Sequence, residues 1–110
     1  MNINSYLFKT LDNNELCLVI KVSGDLLSSG TDDIRATINS CSKAELSNIY
    51  IDAKEAANVD LSGINEIIHS HYTLKQVSKN LVFVYKKGTN VEKWVETTGL
   101  NRFIKTAIAA

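Results

Sequence analysis

An aspartate, a serine and a glycine stand close together where a predicted strand gives way to a predicted helix. Asp60, Ser62 and Gly63 follow the apolar run at residues 49–51 and precede a segment in which isoleucines recur at helical spacing from Ile64. The start of a helix has free backbone N–H groups and a partial positive charge. A hydroxyl held there can cap the helix, or it can carry a phosphate. The first functional question is therefore which of these roles Ser62 has.

Two histidines and two cysteines are the other side chains that could bind a metal ion or take part in catalysis. His69 and His71 are two residues apart on the predicted helix, so they point in directions about 200° apart and cannot bind one ion together. Cys17 and Cys41 lack the close spacing of a zinc site, and we expect two reduced, mostly buried thiols. The sequence also shows no acid–base pair and no glycine-rich phosphate loop. We expect a protein that is not an enzyme and that has no metal or cofactor.

The composition argues against several classes of protein. The chain has 110 residues and a formal net charge of zero, whereas nucleic-acid-binding proteins normally present a basic face. It has no apolar run of about 18 residues that could span a membrane, and its first residues do not resemble a secretory signal. We therefore expect one domain over residues 1–110, a cytoplasmic location, no nucleic-acid partner and no insertion into a membrane.

Apolar patterns predict an α/β fold in the order strand, strand, helix, strand, helix, strand, helix. A polar turn at residues 12–15 joins the first two strands into an antiparallel hairpin. Strands connected through a helix should be parallel, because such crossovers are right-handed. The prediction is a single domain with a mixed sheet of four to five strands, an antiparallel hairpin at its edge, and helices packed on it. The predicted strands are residues 6–11, 16–22, 48–52 and 81–85.

Capping signals and apolar spacing locate three helices. The first begins at Ser28 or Ser29 and runs to about Lys43, and the second covers residues 61–78. The third has Thr89 as its N-cap and Gly99 as its C-cap. Its predicted buried face consists of Val91, Trp94 and Val95. The last segment, which contains Phe103, Ile104 and Ile108, is a short strand or helix.

The segments that follow the second and third strands should be neighbours. Residues 24–29 and 58–64 come directly after strands that we predict to be parallel and adjacent. The carboxyl ends of parallel strands meet at one edge of a sheet, where α/β proteins usually place their sites. We expect a functional surface made from these two segments.

Three short motifs occur in a fixed order along the chain. Gly24-Asp25-Leu26 follows a strand, Asp60-Leu61-Ser62-Gly63-Ile64 precedes a helix, and Thr98-Gly99-Leu100 ends one. They resemble the Gly-x-Leu segment, the Asp-Ser-Ser-Gly-Leu signature and the Thr-Gly-Leu element of STAS domains, the anti-sigma factor antagonist family. The resemblance covers about residues 4–106.

This resemblance implies a bacterial binding module that regulates transcription and is switched by phosphorylation. In the family, a partner kinase phosphorylates the second serine of the signature, which is Ser62 here. The unphosphorylated domain binds an anti-sigma factor that is itself a serine protein kinase, and so frees the sigma factor. Phosphorylation releases the partner, and a phosphatase resets the domain. The residues expected to contact the partner are Asp25, Ser28, Asn58, Asp60, Leu61, Gly63 and Ile64.

The sequence departs from the family pattern at two positions. Leu61 replaces the first serine of the signature, and Leu27 stands where many members carry an aspartate. Some STAS domains are unphosphorylated scaffold subunits of stress-signalling complexes or of bacterial lipid-transport complexes, and that alternative stays open here. Leu61 itself is either a core residue or an exposed contact for a partner.

Overall fold

Strands and helices follow one another in the predicted order, and the last segment adds a fifth strand. The computed structural model describes residues 2–12, 14–26, 31–41 and 44–109. A short 3-10 helix, Leu100–Arg102, precedes the last strand. The other elements are β1 (Asn2–Lys9), β2 (Leu16–Leu26), α1 (Thr31–Cys41), β3 (Asn48–Val59), α2 (Leu61–Lys75), β4 (Asn80–Lys86), α3 (Asn90–Thr98) and β5 (Lys105–Ala109).

The sheet is mixed, and its strands lie in sequence order from β1 to β5. β1 and β2 are antiparallel, whereas β2, β3, β4 and β5 are parallel to one another. The predicted hairpin at one edge and the predicted parallel arrangement of the inner strands are therefore confirmed.

One core joins the sheet to all three helices. Because three successive right-handed crossovers advance in the same direction across the sheet, α1, α2 and α3 lie on one face. Alternate residues of the central strands meet the buried residues of these helices there; examples are Ile20, Ile51, Phe83, Ile38, Ile67 and Val95.

The opposite face of the sheet is covered by its own side chains. Cys17 and Val19 are buried there, and the rings of Phe8 and Tyr50, from the strands on either side of them, have centroids 5.9 Å apart. Cys17 is a free, buried thiol, and so is Cys41 on the helical side, as the sequence predicts. Burial raises the pKa of the Cys41 thiol, which makes it a poor nucleophile at neutral pH.

The first strand is shifted from its predicted position, residues 6–11. It ends at Lys9 because Lys9 pairs with Leu16, the first residue of β2, and the chain between them must turn. Leu11, predicted within the strand, lies in that turn and is fully exposed.

β2 and β3 are longer than predicted. The sequence places their ends at residues 22 and 52, but the two strands stay paired as far as Leu26 and Val59 through two register shifts. Gly24, with φ of 81°, continues the strand in a conformation that favours glycine. Beyond Asp52, β3 has β2 as its only described strand partner, since the pairing with β4 ends there. Exposed polar side chains are tolerated in this two-stranded extension, so the apolar pattern ends before the strand does.

Helix ends and helix faces agree only in part with the prediction. α2 stops at Lys75, three residues early, and Ser78 has a left-handed φ of 60°. α3 has the predicted caps at Thr89 and Gly99. The predicted start of the first helix at Ser28 or Ser29 and its end at Lys43 lie outside the described residues. Within the described part of the chain, no helix is long and apolar enough to cross a membrane.

Trp94 is not a core residue, contrary to the prediction. Val91 and Val95 on the same helix are fully buried, but Trp94 is only partly buried and packs against the margin of the core. The buried face of α3 is the narrow one that carries Val91 and Val95, which are four residues apart. The indole lies on the flank of α3, where it lines a surface cleft of about 160 Å³ with Asn90, Lys93 and Thr97.

Candidate functional site

The ends of β2 and β3 form one wall of the candidate site. Asp25 and Asn58 are register partners, and the Asn58 side-chain amide donates a hydrogen bond of 3.2 Å to Oδ1 of Asp25. The predicted proximity of the two segments is thus confirmed for their described residues. Ser28, predicted to contribute to the same surface, lies outside the described residues.

Asp60, and not Ser62, caps α2. The Asp60 backbone is extended, with φ of −112° and ψ of 179°. Its Oδ1 accepts a hydrogen bond of 2.9 Å from the backbone N–H of Gly63, which is the usual geometry of an N-cap. Ser62 is exposed, and in the described part of the chain no group bonds its hydroxyl. Among the described residues, the Ser62 hydroxyl therefore has no part in holding the fold.

The first turn of α2 alternates between exposed and buried residues. Leu61 keeps 55% of its surface exposed, so the alternative of a core role for it is wrong. Gly63 and Ile64 were expected to contact a partner, but both are buried, and Ile64 has no exposed surface. These two buried residues hold the first turn of α2 against the core. We name the accessible remainder the β3–α2 surface; it consists of the exposed Asn58, Leu61 and Ser62 and the partly exposed Asp25 and Asp60.

A side chain at the start of α3 holds the end of β3 in place. Oδ1 of Asn90, the first residue of α3, accepts a hydrogen bond of 3.2 Å from the backbone N–H of Val59. This contact holds the residue just before Asp60 in place. No local sequence pattern predicts this role for Asn90, because its partner lies 31 residues away.

A bidentate ion pair joins α1 to α2 one turn beyond Ser62. Nη2 of Arg35 lies 2.9 Å from Oε1 of Glu66, and Nε of Arg35 donates to Oε2 at 3.4 Å. The Glu66 side chain is 3% exposed and that of Arg35 is 51% exposed. This pair was also missed. Glu66 lies off the apolar stripe of Ile64, Ile67 and Ile68 in the sequence, so no local pattern indicates that its carboxylate is buried and needs a cation.

The two histidines lie away from the β3–α2 surface. His69 is exposed, seven residues beyond Ser62, about 10 Å along the helix. His71 is partly buried, and its ring contacts those of Tyr72 and Phe103, with centroids 5.0 and 6.3 Å away. Burial lowers the pKa of His71, and the charge of Lys75 lowers it further. Neither histidine is placed to activate the Ser62 hydroxyl as a general base.

Solved structures share this fold. SpoIIAA in its unphosphorylated form aligns with a TM-score of 0.66 at 17% identity, over 97% of this chain and 90% of that chain. The Bacillus cell fate determinant SpoIIAA in its phosphorylated form gives 0.65 at 18% identity, over 96% and 92%. A Thermotoga maritima protein, provisionally assigned as an anti-sigma factor antagonist, gives 0.71 at 13% identity, over 96% and 86%. At these identities the likeness establishes the fold.

Sequence comparison identifies the family. No protein of curated function matches the chain significantly. The family model for the STAS domain, by contrast, matches residues 9–109, which is nearly the whole chain. Since the match extends from the end of β1 to the end of β5, the motifs, the fold and the family assignment agree: the chain belongs to the STAS domain family.

Proposed function

We propose that this protein is a phosphorylation-switched binding module, an anti-sigma factor antagonist. It binds an anti-sigma factor with serine kinase activity while Ser62 is unmodified, and it releases that partner when Ser62 is phosphorylated. The observation that carries the proposal is the exposed Ser62 hydroxyl in the signature of the family, next to a helix that Asp60 already caps. SpoIIAA, which shares the fold, is known in both an unphosphorylated and a phosphorylated form.

The β3–α2 surface has the chemistry that such a switch needs. Leu61 offers an exposed apolar contact directly beside the Ser62 hydroxyl. A partner that covers both would exclude water from the contact. A phosphate on Ser62 adds about −1.5 to −2 charges at neutral pH, and burying that charge without a matching cation on the partner is costly. Asp60 adds like-charge repulsion. The loss of a central desolvated contact costs about 2 kcal/mol or more.

The same geometry lets the domain keep its fold in both states. The cap of α2 comes from Asp60, and the hydrophobic anchor of its first turn is the buried Ile64. Neither depends on the Ser62 side chain. Phosphorylation therefore acts on the partner interface, and a phosphatase that removes the phosphate restores binding. In this proposal the protein is a cytoplasmic regulator of transcription and catalyses no reaction.

Phosphorylation in vitro tests the proposal. The purified protein is incubated with ATP and with serine kinases of the anti-sigma type, and the products are analysed by peptide mass spectrometry. We expect one phosphate, on Ser62, and none on the Ser62→Ala variant. No phosphate on Ser62 with any such kinase, or equal phosphorylation of the variant, contradicts the proposal.

A scaffold function is the second candidate, and one observation favours it. The exposed Leu61, where the family signature has a serine, would suit a permanent contact with a partner. A scaffold subunit of a stress-signalling or lipid-transport complex would bind its partner regardless of charge at residue 62. If Ser62→Asp binds as tightly as the wild type and Ser62 carries no phosphate in cells, the scaffold replaces the switch.

A further inference from the structure

We propose that Arg35 binds the phosphate carried by Ser62, so that α1 as well as α2 responds to the modification. This inference rests on the proposed function, because it assigns a receiving group to the phosphate of that switch. It extends the site to a residue on another helix that no sequence motif includes.

The first observation is the relative position of Ser62 and Glu66 on α2. Four residues apart on α2, they lie on the same side of the helix in successive turns, with Cβ atoms about 6 Å apart. Helical side chains lean toward the N-terminus of their helix, so the Glu66 carboxylate leans toward the turn that holds Ser62. Arg35 is held against that carboxylate through Nη2 and Nε, at 2.9 and 3.4 Å. The guanidinium is therefore held beside the turn of α2 that follows Ser62.

Arg35 also has donors to spare. A guanidinium carries five N–H donors, and the contacts with Glu66 occupy one on Nε and one on Nη2. Half of the side chain is exposed, and within the described part of the chain Glu66 is its only recorded partner. The remaining N–H groups can form a bidentate contact with phosphate oxygens while Glu66 keeps the guanidinium in place.

The negative charges around Ser62 favour such a cation. A phosphate dianion there has the Asp60 carboxylate two residues before it and the Glu66 carboxylate one turn after it. Asp60 also already accepts the N–H of Gly63, so that donor of the helix end is occupied. Arg35 supplies the positive charge that offsets this negative environment. The phosphate would thus tie the start of α2 to α1 through Arg35.

Phosphorus NMR on protein with phosphoserine incorporated at residue 62 during synthesis tests the inference. The measurement is the pH at which the phosphate passes from monoanion to dianion. A bound guanidinium favours the dianion, so we expect Arg35→Gln to raise that pKa by about one unit, a tenfold gain in proton affinity. Arg35→Lys should recover part of the difference. Arg102→Gln removes the same charge from the 3-10 helix and should leave the phosphate unchanged.

A second variant covers the case in which Arg35→Gln fails to fold because Glu66 is left buried and unpaired. The double variant Arg35→Gln, Glu66→Gln keeps the net charge of the pair and leaves no buried carboxylate. Because losing the Glu66 charge by itself lowers the pKa of the phosphate, the reference for the double variant is Glu66→Gln alone. The double variant should have the higher phosphate pKa of the two, because only it lacks the direct contact with Arg35. An equal phosphate pKa in Glu66→Gln and in the double variant, or in the wild type, Arg35→Gln and Arg102→Gln, overturns the inference. Since the phosphoserine is installed without a kinase, this result is independent of whether a kinase modifies Ser62.

Discussion

α2 and α3 begin at the same edge of the sheet, each close behind a parallel strand, yet their first turns differ. α3 is closed by its own side chains: Thr89 accepts from the Glu92 N–H at 3.4 Å, and the Glu92 carboxylate accepts from the Gly88 N–H at 3.0 Å. α2 has its cap in Asp60 but no acidic residue in its first turn, where Ser62 is exposed. The polar side chains at the start of α3 therefore have a structural role. The start of α2 has its cap in Asp60, and no described residue bonds the Ser62 hydroxyl, which can therefore serve another purpose.

The largest expected effect distinguishes the buried residue that anchors the first turn of α2, Ile64, from the exposed residue beside it, Leu61. Ile64→Ala removes a fully buried side chain from the core, so unfolding should become easier by about 2–5 kcal/mol. Leu61→Ala, three residues earlier, should change stability by less than about 0.5 kcal/mol, because Leu61 is mostly exposed. Urea denaturation followed by circular dichroism measures both. Similar losses for the two variants would mean that Leu61 belongs to the core.

The next effect concerns the two caps. Asp60→Ala and Thr89→Ala each remove the side chain that accepts a backbone N–H at a helix start. Each should cost about 1 kcal/mol in the free energy of unfolding.

Ser62→Ala is the matched control for these caps. Since the fold does not use its hydroxyl, the change should stay within about 0.5 kcal/mol. A loss for Ser62→Ala as large as that for Asp60→Ala would make Ser62 a capping residue and remove the contrast between the two helix starts.

A smaller effect tests how Glu92 stabilises the N-terminus of α3. Glu92→Gln keeps a side-chain oxygen that can accept the Gly88 N–H, but it removes the negative charge from the first turn. The loss should be about 0.3–1 kcal/mol at low ionic strength, and salt should reduce it. Thermal unfolding in low and high salt measures the difference. A loss that salt does not change would mean that the charge of Glu92 has no role.

The smallest expected effect lies at the far end of α2, at His71. The pKa of His71 is lowered in the folded protein from the ordinary value of 6.5, so the unfolded chain binds the proton more readily. The contribution of neutral His71 to stability is then complete above about pH 6.5 and declines as the pH falls toward the folded pKa. The wild type should lose slightly more stability than His71→Gln between pH 7 and pH 5. An identical decline in the two proteins would contradict this.

Apolar periodicity was enough to predict the order and direction of the inner strands, because each inner strand contributes several buried side chains. It could not locate the ends of β2 and β3, since the two-stranded extension beyond Asp52 exposes Lys54 and Glu55. The predicted topology did place Asp25 and Asn58 close together, because both belong to segments that follow adjacent parallel strands. Local sequence patterns could not predict side-chain contacts between residues that are far apart in the sequence.

The sequence left open whether Ser62 caps α2, because a second side chain nearby can also form a cap. Asp60 and Ser62 can both accept a backbone N–H at a helix start. Only the backbone decides, and it places Asp60 in the extended conformation of an N-cap. The Arg35–Glu66 pair was missed for a different reason, because its members are 31 residues apart and belong to different helices.

Binding of the kinase partner to the two forms of this protein tests the central claim most directly. Isothermal titration calorimetry would compare wild type carrying serine at residue 62 with the same protein carrying phosphoserine there, using the anti-sigma kinase that modifies it. We predict that the unmodified form binds and that the phosphorylated form binds at least 100-fold more weakly, a loss of about 2.7 kcal/mol in binding free energy. Circular dichroism should show the same fold for both forms. Equal affinity of the two forms would contradict the account.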